Sequence, residues 1–229
     1  MADASIAPVQ KRIVVTSCVG KNSDLMAEVA RLYLKPGDRV ADVTFGLGAF
    51  WRQVDLRQYE FLPSDIVTCL EHPHDFRHLP YEAGSLDVVV LDPPYRHDPG
   101  GSNHMDSNYQ NRATTKGLSH EGIIALYVDG MREAFRVLRP GGLHWVKSQD
   151  EISSGKQRRS SIEIWQAAIE LGFEDLDQFV LLQERLPLLQ NPKQQHARKN
   201  HSYLWIFKKP TARSLARRPS ANPHKGDAI

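Results

Sequence analysis

The stretch LDVVVLDPPY, residues 86–95, constrains the fold of this chain more than any other. Its apolar run is rich in β-branched residues and too short for an ordinary helix, so it predicts a buried strand. The two prolines cannot donate ladder hydrogen bonds and must end that strand, which places Asp92 at its carboxyl end. Ligands of open α/β sheets bind outside the carboxyl ends of the strands, so we expect a binding site there.

The chemistry of this strand end suits a planar amine. Asp92 is an anionic acceptor, the backbone of Pro93 and Pro94 has a fixed direction, and Tyr95 offers a flat face. An exocyclic amine that donates to Asp92 and to the Pro93 carbonyl, with its ring stacked on Tyr95, would aim its lone pair at an electrophile. From the tetrapeptide alone, a Pro-Pro turn with a surface tyrosine remains an equal alternative.

Length and composition indicate one globular domain. With 229 residues and 41% hydrophobic residues, the chain can bury a sizeable core. We expect a flexible arm over 1–12, a single domain over 13–209 and a disordered basic tail over 210–229. The absence of long apolar runs and of a signal-like N-terminus predicts a soluble, intracellular protein. Cys18 and Cys69 are isolated, which argues against disulfides and Cys-rich zinc sites.

A second candidate site follows the predicted strand 39–43, where the chain turns through glycines into what we expect to be a helix. The loop is neither a complete G-x-G-x-x-G, because position 51 is Trp, nor a P-loop, because no Gly-Lys-Ser/Thr follows. Asp42 at the strand end, with Gly46 and Gly48 four and six residues later, suits a zwitterionic ligand. Asp42 could meet an ammonium directly or through water.

Other polar residues extend this second site. Asp65 lies 23 residues after Asp42, about the offset at which an acid meets ribose hydroxyls in nucleotide-binding α/β folds. Asp75 lies in a loop where its carboxylate could accept a bond from an adenine amine. Lys21 could reach a ligand carboxylate, although a plain surface lysine is the simpler interpretation. We predict no metal site, since three loop histidines at H-x-H-x3-H spacing lack a supporting cysteine: His72, His74 and His78.

Taken in order, the motifs DVTFGLG from residue 42, SD from 64, DFRHLP from 75 and DPPY from 92 resemble S-adenosylmethionine-dependent amino-methyltransferases of the DNA adenine-N6/cytosine-N4 type. The resemblance covers about residues 13–150 and extends loosely to 196–201. It implies a Rossmann-like class I methyltransferase fold, a mostly parallel seven-stranded sheet with an antiparallel edge strand. It also implies that residues 92–95 grip the target base, and that S-adenosylmethionine binds at a set of residues: Asp42, Thr44, Phe45, Gly46, Gly48, Asp65, Asp75 and Lys21.

The charge pattern favours a nucleic-acid partner, because basic residues gather in the C-terminal third of the chain. Ordinary solvated faces with a basic tail are the alternative. The polar stretch 96–118 is predicted to be a substrate loop, and 184–201 a basic loop. The candidate phosphate contacts in these two loops are Arg96, Arg112, Lys116, Arg198 and Lys199.

Periodicity predicts several further elements. Helical spacing begins at Ser23, a second helix follows a Ser119 cap, and Ser160-x-x-Glu163 has the form of a capping box. Residues 173–182 and 202–207 are predicted to form the antiparallel edge pair of the sheet. The stretch 151–160 is predicted to be a basic loop.

The resemblance, together with the amine pocket expected at residues 92–95, implies a DNA methyltransferase acting on adenine N6 of a flipped-out base. It also implies a cytoplasmic, nucleoid-associated protein of a prokaryote or phage. Aspartate at position 92 favours adenine, since serine is commoner there in cytosine-N4 members of the resembled family. Cytosine-C5 chemistry needs a thiolate nucleophile, and neither cysteine follows a strand end as that reaction requires. Cytosine-N4 methylation, methylation of a base amine in RNA, and an inactive nucleic-acid-binding protein remain the alternatives.

Overall fold

The computed structural model describes residues 13–69, 71–94, 118–153, 155–183, 195–197 and 199–216. One seven-stranded sheet dominates them, accompanied by a small hairpin. The strands are β1 (Ser17–Val19), β2 (Arg39–Asp42), β3 (Glu60–Pro63), β4 (Leu86–Leu91), β5 (Leu138–Ser148), β6 (Glu151–Ser153), β7 (Lys156–Arg158), β8 (Glu174–Leu182) and β9 (His201–Lys208).

Four α-helices accompany the strands: α1 (Asn22–Tyr33), α2 (His120–Val137), α3 (Ser160–Glu170) and the short α4 (Ala212–Leu215). The Ser119 hydroxyl accepts a hydrogen bond from the Gly122 amide and caps α2, as predicted. Two single turns of 3₁₀ helix, Ala49–Trp51 and Leu56–Gln58, lie between β2 and β3. Within the described ranges, no helix combines the length and the apolar character needed to cross a membrane.

The strand order is β1-β8-β9-β5-β4-β2-β3, and every pairing is parallel except those of β9. This confirms the predicted fold class, a mostly parallel seven-stranded sheet. The antiparallel strand lies inside the sheet, between β5 and β8, because β1 pairs in parallel with β8 and forms the edge. The predicted pair 173–182 and 202–207 therefore forms, one place further in than expected.

Strand β4 is buried on both faces, which explains its continuous apolar sequence. Val89 and Leu91 pack in a cluster with α2 and α3, whereas Val88 and Val90 pack in a second cluster with α1. All four side chains are at most 2% exposed. The carboxyl end of β4 thus emerges from the middle of the sheet, held from both sides.

The start of α3 corrects one prediction. Ser160 is the first residue of the helix rather than its cap, and the Glu163 carboxylate lies 3.0 Å from the His120 ring nitrogen Nε2. The capping acceptor is Asp150, whose carboxylate accepts bonds from both the backbone amide and the hydroxyl of Ser161. A carboxylate supplied by a distant segment has replaced the local capping box.

Two further predictions need correction. The stretch 151–160 contains the antiparallel hairpin of β6 and β7 rather than an unstructured loop. The tail is ordered at its start, since Thr211 caps α4 with its hydroxyl. The predicted arm 1–12 and most of the two predicted loops lie outside the described residues.

Candidate active site

The carboxyl ends of β2 and β4 lie side by side and carry the two central acids of the site. Asp42, the last residue of β2, is in register with Val90, two residues before Asp92. The Val43 amide donates to the Val90 carbonyl at 3.1 Å, so the pairing continues beyond the strand end. The motif that begins at Asp42 and the motif that begins at Asp92 therefore lie next to each other at one edge of the sheet.

Asp42 is held inside the protein, with only 2% of its surface exposed. Its carboxylate accepts bonds from Trp51 Nε1 at 2.6 Å and from the Thr44 amide at 3.0 Å. Burial raises the pKa of Asp42 to about 7, although these two bonds favour the ionised form; the nearby Asp92 and Asp65 carboxylates raise that pKa further. Asp42 thus anchors the glycine loop from its buried side.

The glycine loop departs from the expected turn into a helix. Gly46 and Gly48 have φ of 56° and 68°, a left-handed conformation that glycine adopts without strain. The chain then makes only the 3₁₀ turn that ends at Trp51. The Phe45 ring covers Gly48 closely, because a Cβ on Gly48 would lie 2.7 Å from it. The site therefore has no long helix whose N-terminus faces a ligand at this loop.

Asp65 lies against the same loop. One carboxylate oxygen accepts bonds from the Val67 and Thr68 amides at 2.8 Å, and the other accepts a bond from the Gly46 amide at 3.2 Å. The Thr68 hydroxyl also donates to the Gly46 carbonyl at 3.0 Å. The structure thus places Asp65 next to the glycine loop, and its contact with a ribose hydroxyl remains a prediction.

Asp75 and Lys21 are not drawn into this cluster. The Asp75 carboxylate forms an ion pair with Arg77 at 2.6 Å, and this partner holds the pKa of Asp75 below its ordinary value. Lys21 is exposed and occupies the N-cap of α1, where its amide donates to the Asp24 carboxylate at 2.7 Å. Their assignment to a cofactor remains a prediction.

Asp92 differs from the other acids because part of its carboxylate has no partner. Its amide donates to the Thr44 hydroxyl at 2.7 Å, but its buried Oδ1 has no hydrogen-bond partner among the described residues. Burial raises the pKa of Asp92 to about 6, while the positive charge of Lys147 lowers it. An acceptor buried without a donor is costly in a native protein and is often kept for a ligand. Pro93 and Pro94 follow it, and Tyr95 lies outside the described residues.

Lys147 lies at the same edge, because β5 pairs with β4. From the sequence, Lys147 would lie near the ligand edge if its strand neighboured the central one, although an ordinary strand-end lysine was the simpler interpretation. It is only 3% exposed, and its Nζ donates to the Ser202 hydroxyl at 2.7 Å. Burial lowers the pKa of Lys147, and the nearby Asp92 carboxylate raises it. The available sequence signal was a lysine directly after an apolar run; its burial depends on β9, which lies far along the chain.

Of the five candidate nucleic-acid contacts, only Lys199 lies among the described residues. Lys199 is half-buried just before β9, whereas Arg96, Arg112, Lys116 and Arg198 lie outside the described residues. Among the residues that the structure describes, no group of three His, Cys, Asp or Glu side chains is arranged to hold a metal ion.

Comparisons with known proteins bear on the fold. No protein-family model matches the chain. Sterol 24-C-methyltransferase erg6 of Schizosaccharomyces pombe is 30% identical over 137 residues, which are 56% of this chain but only 33% of the yeast protein. The chain therefore spans about a third of the length of this curated relative.

Two solved structures share the architecture. One is a complex of the Haloferax volcanii Trm112 methyltransferase activator with a methyltransferase, which matches with 16% identity and a TM-score of 0.51 over 83% of this chain and 90% of that one. The other is the [4+2]-cyclase SpnF, with 15% identity and a TM-score of 0.52 over 82% of this chain and 80% of that one. The chain has the Rossmann-like fold of class I methyltransferases. Because a cyclase also has this fold, the reaction must be argued from the site.

Proposed function

We propose that this protein is an S-adenosylmethionine-dependent methyltransferase that methylates the exocyclic N6 amine of adenine in DNA. The observation that carries the proposal is the buried, unpartnered carboxylate oxygen of Asp92, beside the glycine loop that follows β2. A hydrogen-bond acceptor for an amine and a loop suited to a zwitterionic cofactor then share one edge of the sheet.

The described residues fit S-adenosylmethionine. A carboxylate offers about four acceptor positions. Asp65 uses three of these for backbone amides, which leaves one position for a ribose hydroxyl. Asp42 uses two, which leaves acceptor positions for an ammonium, directly or through water. Gly46 and Gly48 allow the backbone to approach the methionine part closely. When bound, S-adenosylmethionine supplies an electrophilic methyl group; the alignment with the yeast sterol methyltransferase supports this cofactor.

The amine side of the reaction depends on positioning and charge. The ionised Asp92 accepts one hydrogen bond from the target amine and the Pro93 carbonyl accepts the other, which turns the nitrogen lone pair towards the methyl donor. The same carboxylate stabilises the positive charge that develops on nitrogen as the new bond forms. The methylated amine is then acidic enough to lose its proton to water, so Asp92 need not act as a strong base.

A base inside a duplex cannot reach this pocket, so the target adenine must leave the helix. Unstacking costs a few kcal/mol. Stacking on Tyr95 and contacts between phosphates and basic side chains offset that cost. The candidate contacts are Arg96, Arg112, Lys116, Arg198 and Lys199, and their charge makes binding weaken steeply with added salt. Aspartate at position 92 supports adenine rather than cytosine N4 as the target.

The experiment that tests this proposal is transfer of labelled methyl from S-adenosylmethionine to unmethylated duplex DNA, with structured RNA in parallel. The modified nucleosides are identified after digestion. We expect N6-methyladenine in DNA. N4-methylcytosine or label confined to RNA would replace the substrate assignment, and cofactor binding without any transfer would leave an inactive binding protein.

The role of Asp92 is tested by Asp92→Ala. We expect transfer to fall by at least about 100-fold, because the amine loses its charged acceptor, while the Kd for the cofactor changes little. Asp87→Ala is the matched control, since Asp87 lies at the opposite end of β4 and pairs with Arg139. The control should lower stability and leave transfer by the folded enzyme near the wild-type rate. Equal loss of cofactor binding and transfer in Asp92→Ala would refute the assignment.

A further inference from the structure

Lys147 occupies an unusual position for a lysine. In the parallel pairing of β4 with β5, Leu91 is in register with Val146, so the next residues, Asp92 and Lys147, are neighbours at the same sheet edge. Strand β9 pairs with the other edge of β5, and the hydroxyl of its Ser202 contacts the buried Lys147 side chain. Enclosing an ammonium at this point is costly, since burial disfavours its charged form.

The two buried charges are incompletely paired. The Ser202 hydroxyl accepts a hydrogen bond from one of the three Lys147 N–H groups, and Asp92 Oδ1 has no hydrogen-bond partner among the described residues. Within the described part of the chain, no hydrogen bond or ion pair joins the two side chains. A structural ion pair would be in contact and saturated with hydrogen bonds. Here the Lys147 ammonium acts on the Asp92 carboxylate by electrostatic attraction without a hydrogen bond. The carboxylate oxygen therefore stays available to a ligand.

We propose that Lys147 is a positioning residue of the amine pocket, whose buried ammonium keeps the Asp92 carboxylate ionised and so able to accept a hydrogen bond from the target amine. This inference rests on the proposed function. It assigns Lys147 no contact with substrate.

The other titratable groups near this sheet edge are Asp42 at the end of β2 and Asp65 after β3, and the Asp92 carboxylate raises the pKa of Asp42. From α2, the Tyr127 hydroxyl donates to the Lys147 carbonyl at 2.8 Å and lies 3.5 Å from the Pro93 carbonyl. For Asp92 itself, burial raises the pKa and the positive charge of Lys147 lowers it. Lys147 therefore opposes the effect of burial on the Asp92 carboxylate.

The test removes the charge and follows activity against pH. Lys147→Met should move the acidic limb of the kcat/KM profile upwards by about 1 to 2 pH units, the range expected when an opposite charge near a carboxylate is lost. Starting from a limb near pH 6, this lowers the rate at pH 7 by about 2- to 10-fold, and the rates converge above about pH 9. Lys147→Gln provides a second neutral variant if the methionine variant does not fold.

Ser202→Ala is the matched control, because it removes the hydrogen bond of Lys147 and keeps the charge. We expect its acidic limb to stay at the wild-type position. A loss of activity that is uniform across pH in both the lysine variants and the serine variant indicates a merely structural role and overturns the proposal.

A direct titration separates this inference from the proposed function. Carbon-13 NMR of aspartate-labelled protein without substrate follows the Asp92 carboxyl, identified from its absence in Asp92→Asn. The pKa of Asp92 should be higher in Lys147→Met than in the wild type; an unchanged pKa overturns the inference. A raised pKa in a protein that transfers no methyl group to any substrate sustains the electrostatic link and refutes the proposed function instead.

Discussion

The buried carboxylate of Asp92 should make the protein less stable than its neutral analogue, and Asp92→Asn measures the effect. Burial raises the pKa of Asp92 from its ordinary 3.8 to about 6. Each pKa unit between folded and unfolded protein corresponds to about 1.4 kcal/mol, so ionising this group in the fold costs at most about 3 kcal/mol. The pKa of about 6 already includes the attraction of Lys147 for the carboxylate, and we expect the asparagine variant to be about 1–3 kcal/mol more stable at pH 8.

The raised pKa of Asp92 determines how this difference in stability varies with pH. Because the folded pKa of Asp92 lies above the unfolded one, the folded protein binds more protons between about pH 4 and pH 6. The free-energy cost of ionising Asp92 in the folded protein is therefore absent below that pH window and complete above it. The difference between variant and wild type should therefore vanish at pH 4 and reach its full size by pH 8, as measured by urea unfolding.

Asp87→Asn on the same strand provides a control of opposite sign. Burial favours the neutral form of Asp87, but the Arg39 amide and the Arg139 guanidinium outweigh it and hold the pKa of Asp87 below its ordinary value. This variant should lose stability at neutral pH. An Asp92→Asn protein that is no more stable than wild type at pH 8, or that keeps a constant difference down to pH 4, would refute the reasoning.

Two further substitutions test the glycine loop. Gly48→Ala should lower the free energy of unfolding by more than about 1 kcal/mol, because a left-handed backbone is unfavourable for alanine and the new Cβ would meet the Phe45 ring. Gly37 also has a positive φ but open space around it, so comparing the two alanine variants in urea unfolding isolates the effect of the ring contact. Trp51→Phe removes a donor from Asp42 and should raise the pKa of that acid above about 7. Calorimetric titration with S-adenosylmethionine should then show weaker binding that recovers as the pH rises, whereas pH-independent binding would contradict the role of this bond.

The central strand and its acid were predictable because local sequence determines them. A run of β-branched residues followed by two prolines leaves little choice for β4, and its carboxyl end carries Asp92. The positions of Asp42 and Asp65 near the strand ends also follow from local sequence, because short βα connections hold such residues there. Their contacts with a cofactor remain predictions.

Long-range pairings could not be predicted in the same way. The burial of Lys147 depends on Ser202, 55 residues away on an antiparallel strand whose place in the sheet no local pattern determines. The cap of α3 came from Asp150, outside the box-like motif that seemed to supply it. A local pairing went unnoticed as well: Asp75 forms an ion pair with Arg77, two residues on, and its contact with a cofactor adenine remains a prediction.

Trp51 shows how one residue determines the form of the candidate cofactor loop. In the sequence it served to exclude a dinucleotide motif, because a third glycine would stand near this position. In the structure its indole donates to Asp42, packs edge-on against Phe61 at 4.8 Å and stacks on Trp145 at 6.4 Å. The chain makes a single 3₁₀ turn here, Ala49–Trp51, in place of the longer helix that the sequence predicted. The residue that breaks the dinucleotide motif thus supplies a donor that favours the ionised form of Asp42, so this loop depends on carboxylates and suits a ligand with a positive charge.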